Sequence, residues 1–213
     1  MTHSVSYVHK IRRSRTSRLL RLIGSCLDPR AWAHAIKIVN YYNYTHVQEL
    51  RKARLHKTAN ISPNTAFANA QNIEIGPRVT LGAHCRIWAG PVRARVVIGE
   101  DALFAPDVMV TAATYRYNDG APVTAQAMDE ADVVIGPDCW IGRGVTILAG
   151  TVLGRGVIVG AHSVVRGTFP DYAIIAGNPA KVVSDRQPER KTPLSKASTA
   201  TSQPKTPPRT QSQ

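Results

Sequence analysis

The chain has 213 residues, 43% hydrophobic but only 6% aromatic, and a formal net charge of +13. That length suits one ordinary domain with attachments, and the scarcity of aromatics requires an aliphatic core. Three scattered cysteines (Cys26, Cys85 and Cys139) lack metal-type spacing and argue against a disulfide framework, which points to a reducing, cytoplasmic compartment. No apolar run approaches the ~18 residues of a membrane-spanning helix, and no secretory signal is evident.

The charge is unevenly placed. Residues 1–58 hold 12 Lys/Arg against 2 Asp/Glu, residues 59–183 hold 9 against 10, and residues 184–213 hold 6 against 2. The middle is near neutral and the ends are basic. A basic end attracts an anionic membrane surface or nucleic acid, or is simply solvated. No nucleic-acid motif is present, so nucleic acid is not expected as a partner.

In chain order, residues 1–18 are polar and basic. Leu19, Leu20, Leu22, Ile23 and Leu27, set among Arg18 and Arg21, predict a short amphipathic helix. Asp28 and Pro29 read as the N-cap and first residue of a second helix, which Ala31, Trp32, Ala35, Ile36, Ile38 and Val39 carry to about Tyr44. Such helices either lie on a membrane surface or pack on the rest of the chain or a neighbouring subunit. Residues 46–57 form another helical turn or a basic linker.

From Ile61 the period changes. Phe67 and Ile73 follow at six-residue steps; the count resets at Ile75, Leu81 and Ile87, and resumes at Ile98, Phe104 and Val110. Residues 88–97 hold the pattern poorly, and 115–133 have no repeat and read as a projecting loop, a common place for function. The run is cleanest at Ile135, Ile141, Ile147, Leu153, Val159 and Val165, with Gly136, Gly142, Gly154 and Gly160 after four of them. A step of six fits neither the 3.6 residues of a helix turn nor one long strand. It predicts a stack of coils made of short strands and tight corners, each coil burying one aliphatic edge against its neighbours. Pro170 and Pro179 end the pattern. Residues 185–213 are rich in Ser, Thr, Pro, Gln and Lys and read as a disordered tail.

Three pieces carry a family resemblance: CWIGRGVTILAG at 139–150, VIVGAHSVVRG at 157–167 and, most specifically, AGNPAKVV at 176–183. Over about residues 59–184 the chain resembles the hexapeptide-repeat acyltransferases, among them bacterial polysaccharide O-acetyltransferases and galactoside and maltose acetyltransferases. The resemblance implies an all-β fold, a left-handed parallel β-helix, here with a basic helical extension (1–58) and a C-terminal tail (185–213). It also implies a homotrimer and acetyl-CoA as acyl donor, with a sugar hydroxyl of exopolysaccharide or O-antigen as acceptor. Trp140, Ala161, Arg166, Gly177 and Lys181 fall where that family contacts the donor.

The family's loop begins Thr-x-x-x-His-x-Tyr-x-Asp, where the histidine takes the acceptor's proton. Here Thr111, Tyr117 and Asp119 match, but the histidine position is Tyr115. A phenol is almost wholly protonated at neutral pH, whereas imidazole titrates there. Three readings stay open: Tyr115 acts as base or as an orienting hydrogen bond; His84 or His162 serves as base once folding or assembly brings it near; or the chain is a non-catalytic scaffold. Cys139 reads as packing, and no metal site is expected.

Overall fold

In the computed structural model, which describes residues 14–187, the six-residue steps wind into a parallel β-helix of about six coils with three faces. The first coil holds Arg54–Leu55, Asn60–Ile61 and Ala66–Ala68; the second Ile73–Ile75, Thr80–Leu81 and Arg86–Trp88; the third Val96–Ile98, Leu103–Phe104 and Met109–Thr111. The fourth holds Val133–Ile135, Trp140–Ile141 and Thr146–Ile147, and the fifth Val152–Leu153, Ile158–Val159 and Val164–Val165. A partial sixth coil, Thr168–Phe169 and Ala173–Gly177, is closed by Ala180–Asp185, which pairs antiparallel to the preceding strand. Each strand pairs in parallel with its counterpart one coil away, so every face is a sheet.

The inward ladders are the repeat made visible. Ile75, Ile98, Ile135, Leu153 and Phe169 stack behind the first face. Leu81, Phe104, Ile141, Val159 and Ile175 stack behind the second, and Phe67, Ile87, Val110, Ile147 and Val165 behind the third. All of these are buried. The reset at Ile73 and Ile75 has a simple cause. A single 3-10 turn, Ala70–Asn72, leads into a three-residue strand, and alternation sends both of its ends inward.

The glycines after the inward residues work by close approach, not by unusual backbone angles. A Cβ on Gly142 would lie 2.7 Å from the Ala161 nitrogen and the Val159 oxygen of the next coil. Left-handed backbone sits instead two residues further on, as at Gly144 (φ 67) and His162 (φ 58). Gly142→Ala therefore presses a methyl onto backbone that has nowhere to go. It is expected to lower stability by about 1–3 kcal/mol in urea denaturation, whereas the same change at Gly120 meets nothing within 4 Å and bears only the strain of its left-handed backbone (φ 80).

Before the coil come two helices, α1 (Arg15–Leu27) and α2 (Pro29–Tyr42). Ser14 caps α1 by accepting the Ser17 N–H at 3.2 Å, and Asp28 caps α2 by accepting the Arg30 N–H at 2.8 Å. Helical backbone continues through a wider turn, Asn43–Val47, to Leu50. This last part is hydrogen-bonded to the coil: His46 Nδ1 lies 2.6 Å from the Thr65 carbonyl oxygen, and the Glu49 carboxylate accepts the Ala70 N–H at 2.9 Å. No residue of α1 or α2 is buried. The coil's first strand, Arg54–Leu55, lies a few residues before the boundary expected from the repeats. At the other end Arg186 donates to the Asp138 carboxylate at 2.8 Å, so order runs past residue 185. The rest of the expected disordered tail, and the polar residues 1–13, lie outside the described residues.

Candidate active site

The projecting loop leaves the coil after Met109–Thr111, at the corner between the third and first faces, and is more ordered than its composition suggests. Ala113–Tyr115 and Met128–Glu130 form an antiparallel pair with Tyr115 opposite Met128. Arg116 closes the arm by donating to Asp129 at 2.7 Å, and this ion pair raises its pKa above the ordinary guanidinium range. Arg116 is thus committed to Asp129. Tyr115 is half exposed.

The base of the hairpin is locked by Glu130. Its carboxylate accepts the N–H of Ala94 and of Arg93 at 2.8 Å each and that of Val92 at 2.9 Å, so residues 92–94 wrap it. These backbone donors, Ala94 and Arg93 foremost, hold Glu130 below the usual carboxylate range. A depressed acid stabilises the fold above its unfolded pKa, and that contribution disappears as pH falls through the folded value. Acidification is therefore expected to release this junction. Glu130→Gln at neutral pH is expected to raise amide exchange at Val92, Arg93 and Ala94 by ~tenfold or more relative to the coil strands.

Beside the hairpin base, Thr111, Ala113, Thr114, Leu148, Ala149 and Arg166 line a cavity of about 110 Å³. Folding thus brings Arg166 to the start of the loop. Thr114 and Tyr115 alternate along their strand, so Thr114 faces this cavity and Tyr115 the other side of the arm. Sequence reasoning missed Thr114, Leu148 and Ala149, because only the stacking of coils makes them neighbours.

The remaining candidates lie elsewhere. Trp140 points outward from the second face, half exposed, between Leu103 and Ile158 of the flanking coils. Ala161 and His162 occupy the corner between the second and third faces. Gly177 is tied to that corner, its N–H donating to Ser163 Oγ at 3.0 Å, and Lys181 follows on the closing strand. His84 sits at the same corner, three coils below, with Nδ1 3.7 Å from the Asp107 carboxylate, which accepts from Arg143 at 3.0 Å. The corner holding His84 and His162 is separated from the loop by the width of the third face, on the order of 10 Å at ~3.3 Å per residue. Folding of one chain does not bring either imidazole to Tyr115. Cys139 is buried and donates to the Gly154 carbonyl at 3.1 Å, and burial pushes its thiol up to about 11, so it packs the core.

Residues 132–167 match the bacterial transferase hexapeptide family, described as six repeats. Over these residues the chain is similar to the bacterial hexapeptide-repeat transferases. Among its curated relatives, this hexapeptide-repeat chain is 39% identical over 125 residues to a probable acetyltransferase of Mycobacterium tuberculosis, covering 58% of the chain and 41% of the relative. It is 39% identical over 104 residues to a putative lipopolysaccharide biosynthesis O-acetyl transferase of Escherichia coli, covering 45% and 53%. It thus spans about half, or less, of these relatives' length. A hexapeptide-repeat acetyltransferase of Vibrio cholerae superposes with a TM-score of 0.59 at 19% identity, over 72% of this chain and 89% of that one. A maltose O-acetyltransferase of Clostridium difficile superposes at 0.57 with 24% identity, over 73% and 86%. At these identities the structures establish the fold.

Proposed function

We propose that the chain is an acetyl-CoA-dependent O-acetyltransferase acting on a sugar hydroxyl, in exopolysaccharide or O-antigen assembly, and that it works as a homotrimer in the cytoplasm. The observation that carries the reading is the junction at the loop base, where Thr111, Thr114 and Arg166 line a small cavity at the foot of the arm that carries Tyr115. Relatives named acetyltransferases, and neighbours solved with acetyl-CoA or coenzyme A, support the choice of donor. The free thiols of Cys26, Cys85 and Cys139 suit a reducing compartment.

The residues fit such a donor. An extended thioester arm needs an apolar wall and its phosphates need cations. Leu103, Trp140 and Ile158 form an apolar column along the second face, and Arg166 and Lys181 are exposed cations. In one chain, however, Trp140 and Arg166 lie on different faces. A groove that uses both needs a second copy whose second face meets the loop corner of the first, which is the physical case for a cyclic assembly.

Acetyl-CoA supplies an activated acetyl group. The chain's residues must orient the acceptor, hold the proton its hydroxyl gives up, and stabilise the oxyanion at the carbonyl. The reading gives the proton to Tyr115, which one chain sets half exposed on the loop arm; His84 and His162 act there only if assembly delivers them. Incubation with acetyl-CoA and a panel of glycans, followed by mass spectrometry, tests the activity. An acetylated glycan that forms only with the protein present supports it. Tyr115 in the histidine position favours a second reading, a non-catalytic hexapeptide scaffold, for which no product forms with any glycan although the trimer is intact.

A further inference from the structure

The two N-terminal helices keep their apolar sides in water. At 100° per residue, Leu19, Leu20, Ile23 and Leu27 fall on one side of α1 while Arg18, Arg21 and Ser25 fall on the other. On α2, Trp32, Ile36 and Val39 share a side with Ala35, and Arg30, His34 and Lys37 lie opposite. The apolar side is open: Leu20 is 70% exposed, Leu27 77%, Trp32 60%, Ile36 69% and Val39 69%. A continuous patch of this kind marks an interaction surface.

Three occupants compete for it. The coil of the same chain does not cover it: these side chains stay open, and α2 borders the coil at its end, through Tyr41 and Tyr42. A second copy is disfavoured by charge. Arg15, Arg18, Arg21, Arg30 and Lys37 stand against a single acid, Asp28, whose carboxylate is occupied in capping α2. Pairing two such segments sets like charges together. An anionic lipid surface has the complementary charge, and helices with a basic polar side and a Leu/Ile/Trp apolar side partition into the headgroup boundary. Among the described residues no helix is long and apolar enough to cross a membrane.

We propose that α1 and α2 form an in-plane anchor for an anionic lipid bilayer, with Leu20, Ile23, Leu27, Trp32, Ile36 and Val39 entering the acyl boundary and the arginines meeting headgroups. Trp32 Nε1–H donates to the Cys26 carbonyl at 2.8 Å across the Asp28–Pro29 joint, linking the two helices. The turn after Tyr42 then connects this anchor to the coil.

The test is flotation of the full chain with vesicles of phosphatidylcholine alone or with about one-third phosphatidylglycerol. It needs neither acyl donor nor acceptor, so its outcome is independent of the transferase reading. The chain is expected to float with the anionic vesicles only, and less at high salt. The double variant Leu20→Glu/Ile36→Glu is expected to stay in solution, and Arg18→Gln/Arg21→Gln to bind roughly tenfold more weakly or worse. Because these side chains are exposed, the circular dichroism and melting of the coil are expected to stay unchanged in every variant. Wild-type chain that fails to float with anionic vesicles overturns the proposal. So does equal flotation of the glutamate variant, which assigns adhesion to the basic termini alone. A wild-type chain that stays off vesicles and whose assembly shrinks in light scattering when the glutamates are introduced gives the face to a second copy.

Discussion

Tyr115→Phe is expected to lower turnover by ~10²-fold or more while leaving acetyl-CoA affinity unchanged, because it removes one hydroxyl and no volume from an exposed hairpin arm. The ring stays, so the arm's pairing with Met128–Glu130 is undisturbed. The proposed site sets affinity on the apolar second face and at the cations, not at the phenol. The direction of the kinetic change separates the candidate bases. A loss confined to kcat fits a proton held in the transition state. An unchanged rate removes Tyr115 from the chemistry and transfers the task to the corner of His84 and His162. His162→Ala, at an exposed left-handed position, then becomes the variant that loses activity.

The largest structural effect is expected at Ile147. Its side chain is fully buried behind the third face, stacked between Val110 one coil below and Val165 one coil above. Ile147→Ala removes three carbons from a core whose backbone cannot close in, since the coils are already in hydrogen-bonding register. The cost is about 2–5 kcal/mol in urea denaturation. A β-helix is a near-linear stack in which each coil rests on its two neighbours, so a void in the fourth coil weakens both interfaces at once. Thr146, the outward neighbour on the same strand, packs no core, and Thr146→Ala is expected to change stability by less than about 0.5 kcal/mol.

The fold was legible because a six-residue period is a strong constraint. Ile135 through Val165 can all be buried only if the chain turns once every three strands, and they are. The reset at Ile75 and the role of Gly142 were not legible. The first depends on both ends of a three-residue strand pointing inward, the second on how near the next coil's backbone runs. Neither fact has a local signature. The site was legible only in part. The family pattern pointed to Arg166 and Tyr115; folding sets Arg166 in the cavity at the loop base and Tyr115 on the other side of the arm. Nothing in the pattern tells that Thr114 and Leu148 line the cavity there, or that Arg116 turns to Asp129. The separation of Trp140 from Arg166 was hidden for the same reason. Six-residue steps give the position within a coil, but which face of which subunit completes a groove is a property of assembly.

The central claim is a working acyl-donor site, and calorimetric titration of the purified chain with acetyl-CoA tests it without knowledge of the acceptor. The account predicts micromolar binding, weakened by about tenfold or more in Trp140→Ala through loss of the exposed ring on the second face. No detectable binding by a folded, assembled chain contradicts the account and makes the non-catalytic scaffold the correct reading.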